Sequence, residues 1–380
     1  MVRKRKNQDS RASFLWLVCW LAAFHPNCAR CCPDDSCKYA WEDCPASKGC
    51  SSCNFGDAPT GAFEAGLNAV APDPVQAPGD PPGGTIAFVP SSTGAFVVSA
   101  IPARDVVHVV HLEATSWDED PLTIRTIGNV AFAQGENPGR VVASHAGRVH
   151  VVLRHGGAIA AIDAATATLV ARTTACAEPH GLAYDPSSDV LHAACASGEI
   201  LTLSAATNQE VKHQFVIGGL EDIALAKDSL VASTRTRVIR IGADGSLVQN
   251  EAKGSIVRGV SGDVMLAFTN EKTAFATLTG EGAVGPWMAV RSTPSAASDL
   301  DVGSNGTVGV IAGGEAFILA SGAAEFEPAG APGIARAIAI GTITTGGIER
   351  RVVAVQTDEP RMLVFLGAGN PPVVLGIEPM

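Results

Sequence analysis

A block of sequence recurs 41 residues further on in the middle of this chain, and no other feature constrains the fold as much. Val149-His-Val-Val-Leu-Arg154 aligns with Val190-Leu-His-Ala-Ala-Cys195, and Ile162-Asp-Ala-Ala-Thr166 aligns at the same offset with Leu203-Ser-Ala-Ala-Thr207. A third copy follows as Leu230-Val-Ala-Ser-Thr234 and Val238-Ile-Arg-Ile241. Weaker copies carry Ala95-Phe-Val-Val-Ser99, Val264-Met-Leu-Ala-Phe268, Val308-Gly-Val-Ile-Ala312 and Val352-Val-Ala-Val-Gln356. Units begin near residues 85, 140, 180, 220, 256, 297 and 335. Each reads as four short strands joined by turns, with Asp185-Pro-Ser-Ser-Asp189 and Asp244-Gly245 as turn sequences. A period near 40 residues of four strands is the signature of a β-propeller. One four-stranded blade cannot bury both of its faces, whereas a ring of blades buries each against its neighbours. The composition agrees: 40 Gly and 23 Pro in 380 residues argue for many turns and against a mostly helical protein. The expected fold is therefore all-β, a seven-bladed β-propeller over residues 85–380, with six blades as the alternative if the widely spaced first unit is irregular.

The segment ahead of the repeats divides in three. Residues 1–24 read as a signal peptide, with a basic start (Arg3, Lys4, Arg5, Lys6, Arg11) and the apolar run Phe14–Phe24. Eleven apolar residues suit a signal sequence and fall short of a membrane span. Residues 25–53 hold seven of the ten cysteines: Cys28, Cys31, Cys32, Cys37, Cys44, Cys50 and Cys53. So short and polar a segment has to be cross-linked. Disulfides are expected, because an exported chain meets an oxidising compartment. The alternative is a four-thiolate zinc site from Cys28-x-x-Cys31 and Cys50-x-x-Cys53. Cys28 follows His25-Pro26-Asn27 rather than small residues, so a lipid anchor there, the one route to membrane association, lacks its local pattern. Residues 54–84 are a Pro/Gly/Ala-rich linker. The expected location is the periplasm or outer cell surface.

Several quoted stretches carry a family resemblance. Arg148-Val-His-Val-Val-Leu-Arg154, Ile159-Ala-Ala-Ile-Asp163, Cys176-Ala-Glu-Pro-His180-Gly-Leu-Ala-Tyr184-Asp and Leu191-His-Ala-Ala-Cys195 resemble YVTN-type propeller repeats. They are especially similar to the propeller that precedes a di-haem cytochrome c peroxidase module in some secreted bacterial proteins. The close similarity covers roughly residues 138–250. The haem-attachment motif Cys-x-x-Cys-His does not occur in the sequence, so the resemblance implies a propeller and no peroxidase activity. It also keeps Cys176 and Cys195. These flank the first strand of the third unit, and the hairpin near Pro186–Ser188 returns Cys195 to the end where Cys176 enters. A structural disulfide is expected there, with two buried free thiols as the alternative.

Candidate binding residues fall on the loops that lead into each innermost strand. They are Arg140, His180, Glu221, Asp222, Arg258, Asp299 and Arg336, a ring of mixed charge at one mouth of the central channel, unless they are simply solvated loop residues. Eight of the nine histidines lie between residues 108 and 213, which invites a metal reading. Their strand-like spacing and the absence of an acidic third ligand at a telling offset favour ordinary polar strand positions. No Gly-x-Ser-x-Gly elbow and no phosphate-binding loop occurs. A net charge of −11 removes duplex nucleic acid as a partner. The functional expectation is a non-enzymatic binding or scaffold propeller without a cofactor, taking a protein or small ligand at the channel mouth. The alternatives are a lactonase-like hydrolase around a divalent metal in the channel and an accessory to a haem redox protein.

Overall fold

A computed structural model describes residues 84–376, apart from 114–122, 227–228, 235–236, 243–244, 251–255, 261–262, 268–273, 279–287, 290–296, 304–305, 322, 324, 331–332, 346–347, 359–360 and 367–372. The described residues belong to one compact unit, Val75–Met380. The expected signal peptide, Cys-rich head and linker up to residue 83 lie outside them.

Among the described residues, twenty-eight strands, β1 to β28 in chain order, form seven four-stranded antiparallel sheets. Each sheet is one continuous stretch of chain, β1–β4, β5–β8 and so on to β25–β28. The first strand of every sheet is innermost: β1 (Ile86–Ser91), β5 (Pro138–Ala143), β9 (Pro179–Asp185), β13 (Asp222–Ala226), β17 (Ile256–Val260), β21 (Ala297–Val302) and β25 (Ala335–Thr345). Each packs against the next, and β25 packs against β1. The fold is a β-propeller. Side chains are described on at least three strands for five sheets, those that begin with β1, β5, β9, β13 and β21. In that detail five blades stand described, against the seven expected.

The core lies between sheets, as the blade argument requires. Along β2 (Gly94–Ile101), Ala95 and Val97 pack with Ala337, Ala339 and Val352 of the seventh sheet. Val98 and Ala100 point the other way, onto Val141 and Val149 of the second. Successive side chains on a strand face opposite sides, so each sheet feeds two cores. Ile223, Ala232 and Ile239 of the fourth sheet meet Ala183, Ala194 and Ile200 of the third. The outermost strands β8 (Thr168–Thr174) and β12 (Glu210–Phe215) are largely exposed, Phe215 to 69%.

Cys176 and Cys195 form a disulfide, with Cα atoms 6.3 Å apart across 19 residues of sequence. Cys195 ends β10 (Val190–Cys195), which pairs with β9 so that Cys195 stands opposite Pro179. Both cysteines pack in the core shared by the second and third sheets, beside Val152, Ile159, Leu182 and Leu191. At the far end of β9 the turn caps itself: the Asp185 carboxylate accepts from the Ser187 amide at 2.8 Å and from the Ser187 and Ser188 hydroxyls.

Candidate functional site

The inner strands all start on one face of the ring, and four of them start irregularly. On β5 the pairing passes from Pro138–Leu153 to Val141–Val151, so Gly139 and Arg140 together oppose Val152. On β9 it skips His180, on β21 Ser298 and on β25 Arg336. Each is a β-bulge, a device that re-aims a side chain at the end of a ladder. Three of the expected site residues, Arg140, His180 and Arg336, are thus bulge residues, and Ser298 is a fourth that sequence reading missed. A bulge is set by how two strands pair, which a single strand does not display.

The bulged and leading residues reach forward to the next sheet. Arg140 Nε donates to the Leu182 carbonyl at 3.3 Å. His180 Nδ1 donates to the Leu220 carbonyl at 3.1 Å. Asp222 is buried, and its Oδ2 accepts from the Val257 amide at 3.3 Å while Oδ1 accepts from Ile223 at 3.0 Å. Asp299, fully buried, accepts on Oδ1 from the Gly84 and Leu300 amides, both at 2.8 Å, and on Oδ2 from Ile338 at 2.9 Å. Asp301 accepts from the Ile340 amide at 2.6 Å. Buried carboxylates need such partners, because desolvating an unpaired charge is very costly. Two of the expected binding acids, Asp222 and Asp299, therefore tie sheet to sheet. Glu221 is half-buried, with its own amide on the Ser233 carbonyl at 2.8 Å. Arg258 is placed on β17 opposite Met265, and its side chain lies outside the described residues. Arg336 is exposed.

One residue outside the expected set matters here. Arg154, just after β6 (Arg148–Leu153), is 3% exposed and lies over Gly139; a Cβ on Gly139 would stand 2.5 Å from its Nε. A side chain at position 139 would push the guanidinium from that spot. Gly181 plays a matching part on β9, where a Cβ would stand 2.7 Å from the backbone of Asp222 and Ile223. Burial and then the Arg154 charge hold the His180 imidazole below its ordinary pKa, against the opposing pull of Leu220, Glu178 and Asp222. With Nδ1–H on a carbonyl, neutral His180 keeps its acceptor lone pair on Nε2. Glu136, on the same face, is taken up by Arg172 at 2.5 Å and by the Ala133 amide at 3.0 Å.

Four other histidines are bonded within or beside their own sheets. His108 Nδ1 pairs with Asn129 Oδ1, His111 Nε2 with Ser91 Oγ at 3.0 Å, and His192 Nδ1 with Thr202 Oγ1 at 3.1 Å. His150 Nε2 meets Ser144 Oγ at 3.1 Å. Burial lowers the pKa of both His150 and His192 to about 4, so both are neutral. On the opposite face of the ring, His145 Nδ1 lies 2.7 Å from Asp189 Oδ1, which also accepts from Tyr184 Oη at 3.0 Å. Among the described residues no three His, Cys, Asp or Glu side chains converge as a metal site. No helix among them is long and apolar enough to cross a membrane.

No family model matches the chain, and no curated protein matches it. Solved structures do. Virginiamycin B lyase from Staphylococcus aureus is similar at a TM-score of 0.56 with 10% identity, over 73% of this chain and 92% of that one. A catalytically inactive variant of that lyase with quinupristin gives 0.54 and 10%, over 73% and 93%. A streptogramin B lyase gives 0.56 and 11%, over 72% and 91%. At such identity the likeness bears on the propeller fold alone.

Proposed function

We propose that the chain is an exported, seven-bladed binding propeller of the YVTN type that takes its ligand at the leading mouth of the ring. The observation that carries this reading is the set of bulges at that mouth. They present Arg140, His180, Ser298 and Arg336 on one face, while the buried acids beside them are engaged by backbone amides. The disulfide supports an oxidising compartment. The test is native mass spectrometry of the full chain taken, without chelator, from a host that exports it. The expected mass is the processed chain, less about two protons per disulfide, with a retained small molecule or peptide and no divalent metal. His180→Ala and Arg336→Ala should each lose that ligand, and Lys212→Ala on the outermost strand should keep it. A retained divalent metal that survives exchange would favour the hydrolase instead.

A second reading, proton-transfer chemistry at His180, is favoured by one observation. Its Nδ1–H is held by Leu220, and burial keeps the ring neutral, as a general base requires. Turnover of a retained ligand that His180→Gln abolishes, with binding intact, would select this reading.

A further inference from the structure

The basic residues of the inner strands all stand at one end of the ring. They are Arg140, Arg258 and Arg336, and each lies within the first three positions of its strand, at the leading mouth. The acids of the same strands are engaged. Asp222 and Asp299 accept backbone amides from neighbouring sheets, and Asp301 accepts from the Ile340 amide. Asp185, at the trailing end of β9, is taken up by its own turn. The charged groups that the inner strands turn outward at the mouth are therefore guanidiniums.

Two of these cations flank one buried residue, Gly84. Its amide donates to Asp299 Oδ1 at 2.8 Å, and its carbonyl accepts from the Val141 amide on β5 at 2.7 Å. The other oxygen of Asp299 accepts from the Ile338 amide on β25 at 2.9 Å. Arg140 directly precedes Val141, and Arg336 stands two residues ahead of Ile338. The two arginines therefore belong to the sheets on either side of Gly84, the second and the seventh. Both are bulge residues, set outside the regular ladder. Arg140 holds the Leu182 carbonyl through Nε. Arg336 is exposed and makes no hydrogen bond or ion pair among the described residues. Asp358, beside the start of β25, accepts from the Ile334 amide at 3.1 Å. The lead-in acids Glu178 and Glu221 precede the third and fourth sheets, away from Arg336.

We propose that the ligand of the leading mouth is an anion, a molecule whose carboxylate or phosphate group is taken by the Arg336 guanidinium, with Arg140 on the far side of Gly84 adding to the attraction. A planar guanidinium meets either group with two parallel N–H bonds. The proposal rests on the reading of the mouth as a binding site. Phenylglyoxal, which reacts with exposed guanidiniums, tests it on the full chain, with citrate and inorganic phosphate as probes and peptide mass spectrometry as the readout. Either anion should slow the reaction at Arg336 and leave Arg125, exposed on β4 (Thr123–Ala131), reacting as before. Triethyl citrate, the uncharged ester, should slow neither. By calorimetry, Arg336→Gln should raise the Kd for citrate about tenfold or more, the loss of one charge-assisted pair. Failure of both anions to protect Arg336, or equal protection of Arg125, overturns the anion. Native mass spectrometry separates this from the reading beneath it. A retained anionic ligand that Arg336→Gln loses sustains both. A retained neutral or cationic ligand that survives Arg336→Gln leaves the binding mouth standing and the anion fallen. No retained ligand and no protection at Arg336 overturns both.

Discussion

The seam between the second and third sheets and the seam that closes the ring are built from different materials. At the former, Val152 and Ile159 pack on Leu182, Leu191 and Leu201, and the Cys176–Cys195 bond pins the lead-in to β9. At the latter the polar groups are conspicuous. Thr85 Oγ1 donates to Gln356 Oε1 at 2.9 Å, Gln356 Nε2 donates to the Ala100 carbonyl at 3.1 Å, and Asp299 gathers three amides, from its own sheet, from the seventh sheet and from Gly84 ahead of β1. The difference follows from topology. Among the described residues every sheet is a single stretch of chain, and none of their strands is exchanged between sheets to lock the ring. Closure has to come from side chains and from the residues just ahead of β1. Directional hydrogen bonds fix the register of such a junction where apolar packing alone tolerates slippage.

The largest effect is expected where that closure concentrates. Asp299→Ala leaves the buried amides of Gly84, Leu300 and Ile338 without their acceptor and should lower stability by about 4 kcal/mol. Asp222→Ala, which frees two amides in the middle of the ring, should cost about 2–3 kcal/mol. Denaturant midpoints of the two variants compare them. Equal losses would mean that the closing seam bears no special load.

Breaking the disulfide is the matching cut at the interior seam. Cys195→Ala should cost about 3 kcal/mol by the chain-entropy estimate for a loop of this size. Urea unfolding with and without a reductant checks it, since the wild type and the variant should converge once the bond is reduced.

Acid should open that seam and the next one as well. His150 on β6 shares the face of Val152 toward the third sheet, and His192 on β10 shares the face of Ala194 toward the fourth; each has its pKa lowered by burial to about 4, and a histidine in the unfolded chain titrates near 6.5. Between those values the unfolded chain binds more protons than the folded one. Their contribution is therefore complete above about pH 6.5 and is lost as the pH falls toward about 4. The expected loss is on the order of 2 kcal/mol per histidine. His192→Gln, which keeps a partner for Thr202, should flatten the stability profile between pH 6.5 and 4.5 by about half.

The repeat made the ring legible because its cause is local: alternating apolar residues and turn sequences recur wherever a blade recurs. The Cys176–Cys195 pair was legible for the same reason, as a hairpin of known length brings its two ends together. The placement of the polar residues at the leading ends was legible too, whereas their work was not. Asp222 and Asp299 look like solvated loop acids until the neighbouring sheet supplies amides to them. Arg154 gives no sign of its position, because its fit depends on Gly139, fifteen residues earlier and on another strand. Gly84 reads as linker, since nothing in a single glycine predicts bonds to residues 57 and 215 positions away. Contacts between sheets are set by the closure of the ring, and no short window of sequence carries that information.

The smallest effect is the one that best separates a site from a seam. Arg140 and Arg336 occupy equivalent bulges, yet only Arg140 donates to the neighbouring sheet, at the Leu182 carbonyl. Arg140→Ala should therefore lower stability by about 1 kcal/mol, the value of one partly buried hydrogen bond. Arg336→Ala should change it by less than about 0.5 kcal/mol, as for an exposed side chain without a partner. A residue that costs nothing to remove from the fold, at a position where three other sheets also bulge, is not there to hold the ring together. If Arg336→Ala instead destabilises the protein as much as Arg140→Ala does, its guanidinium belongs to the seam, and the mouth loses a cation that was available to a ligand.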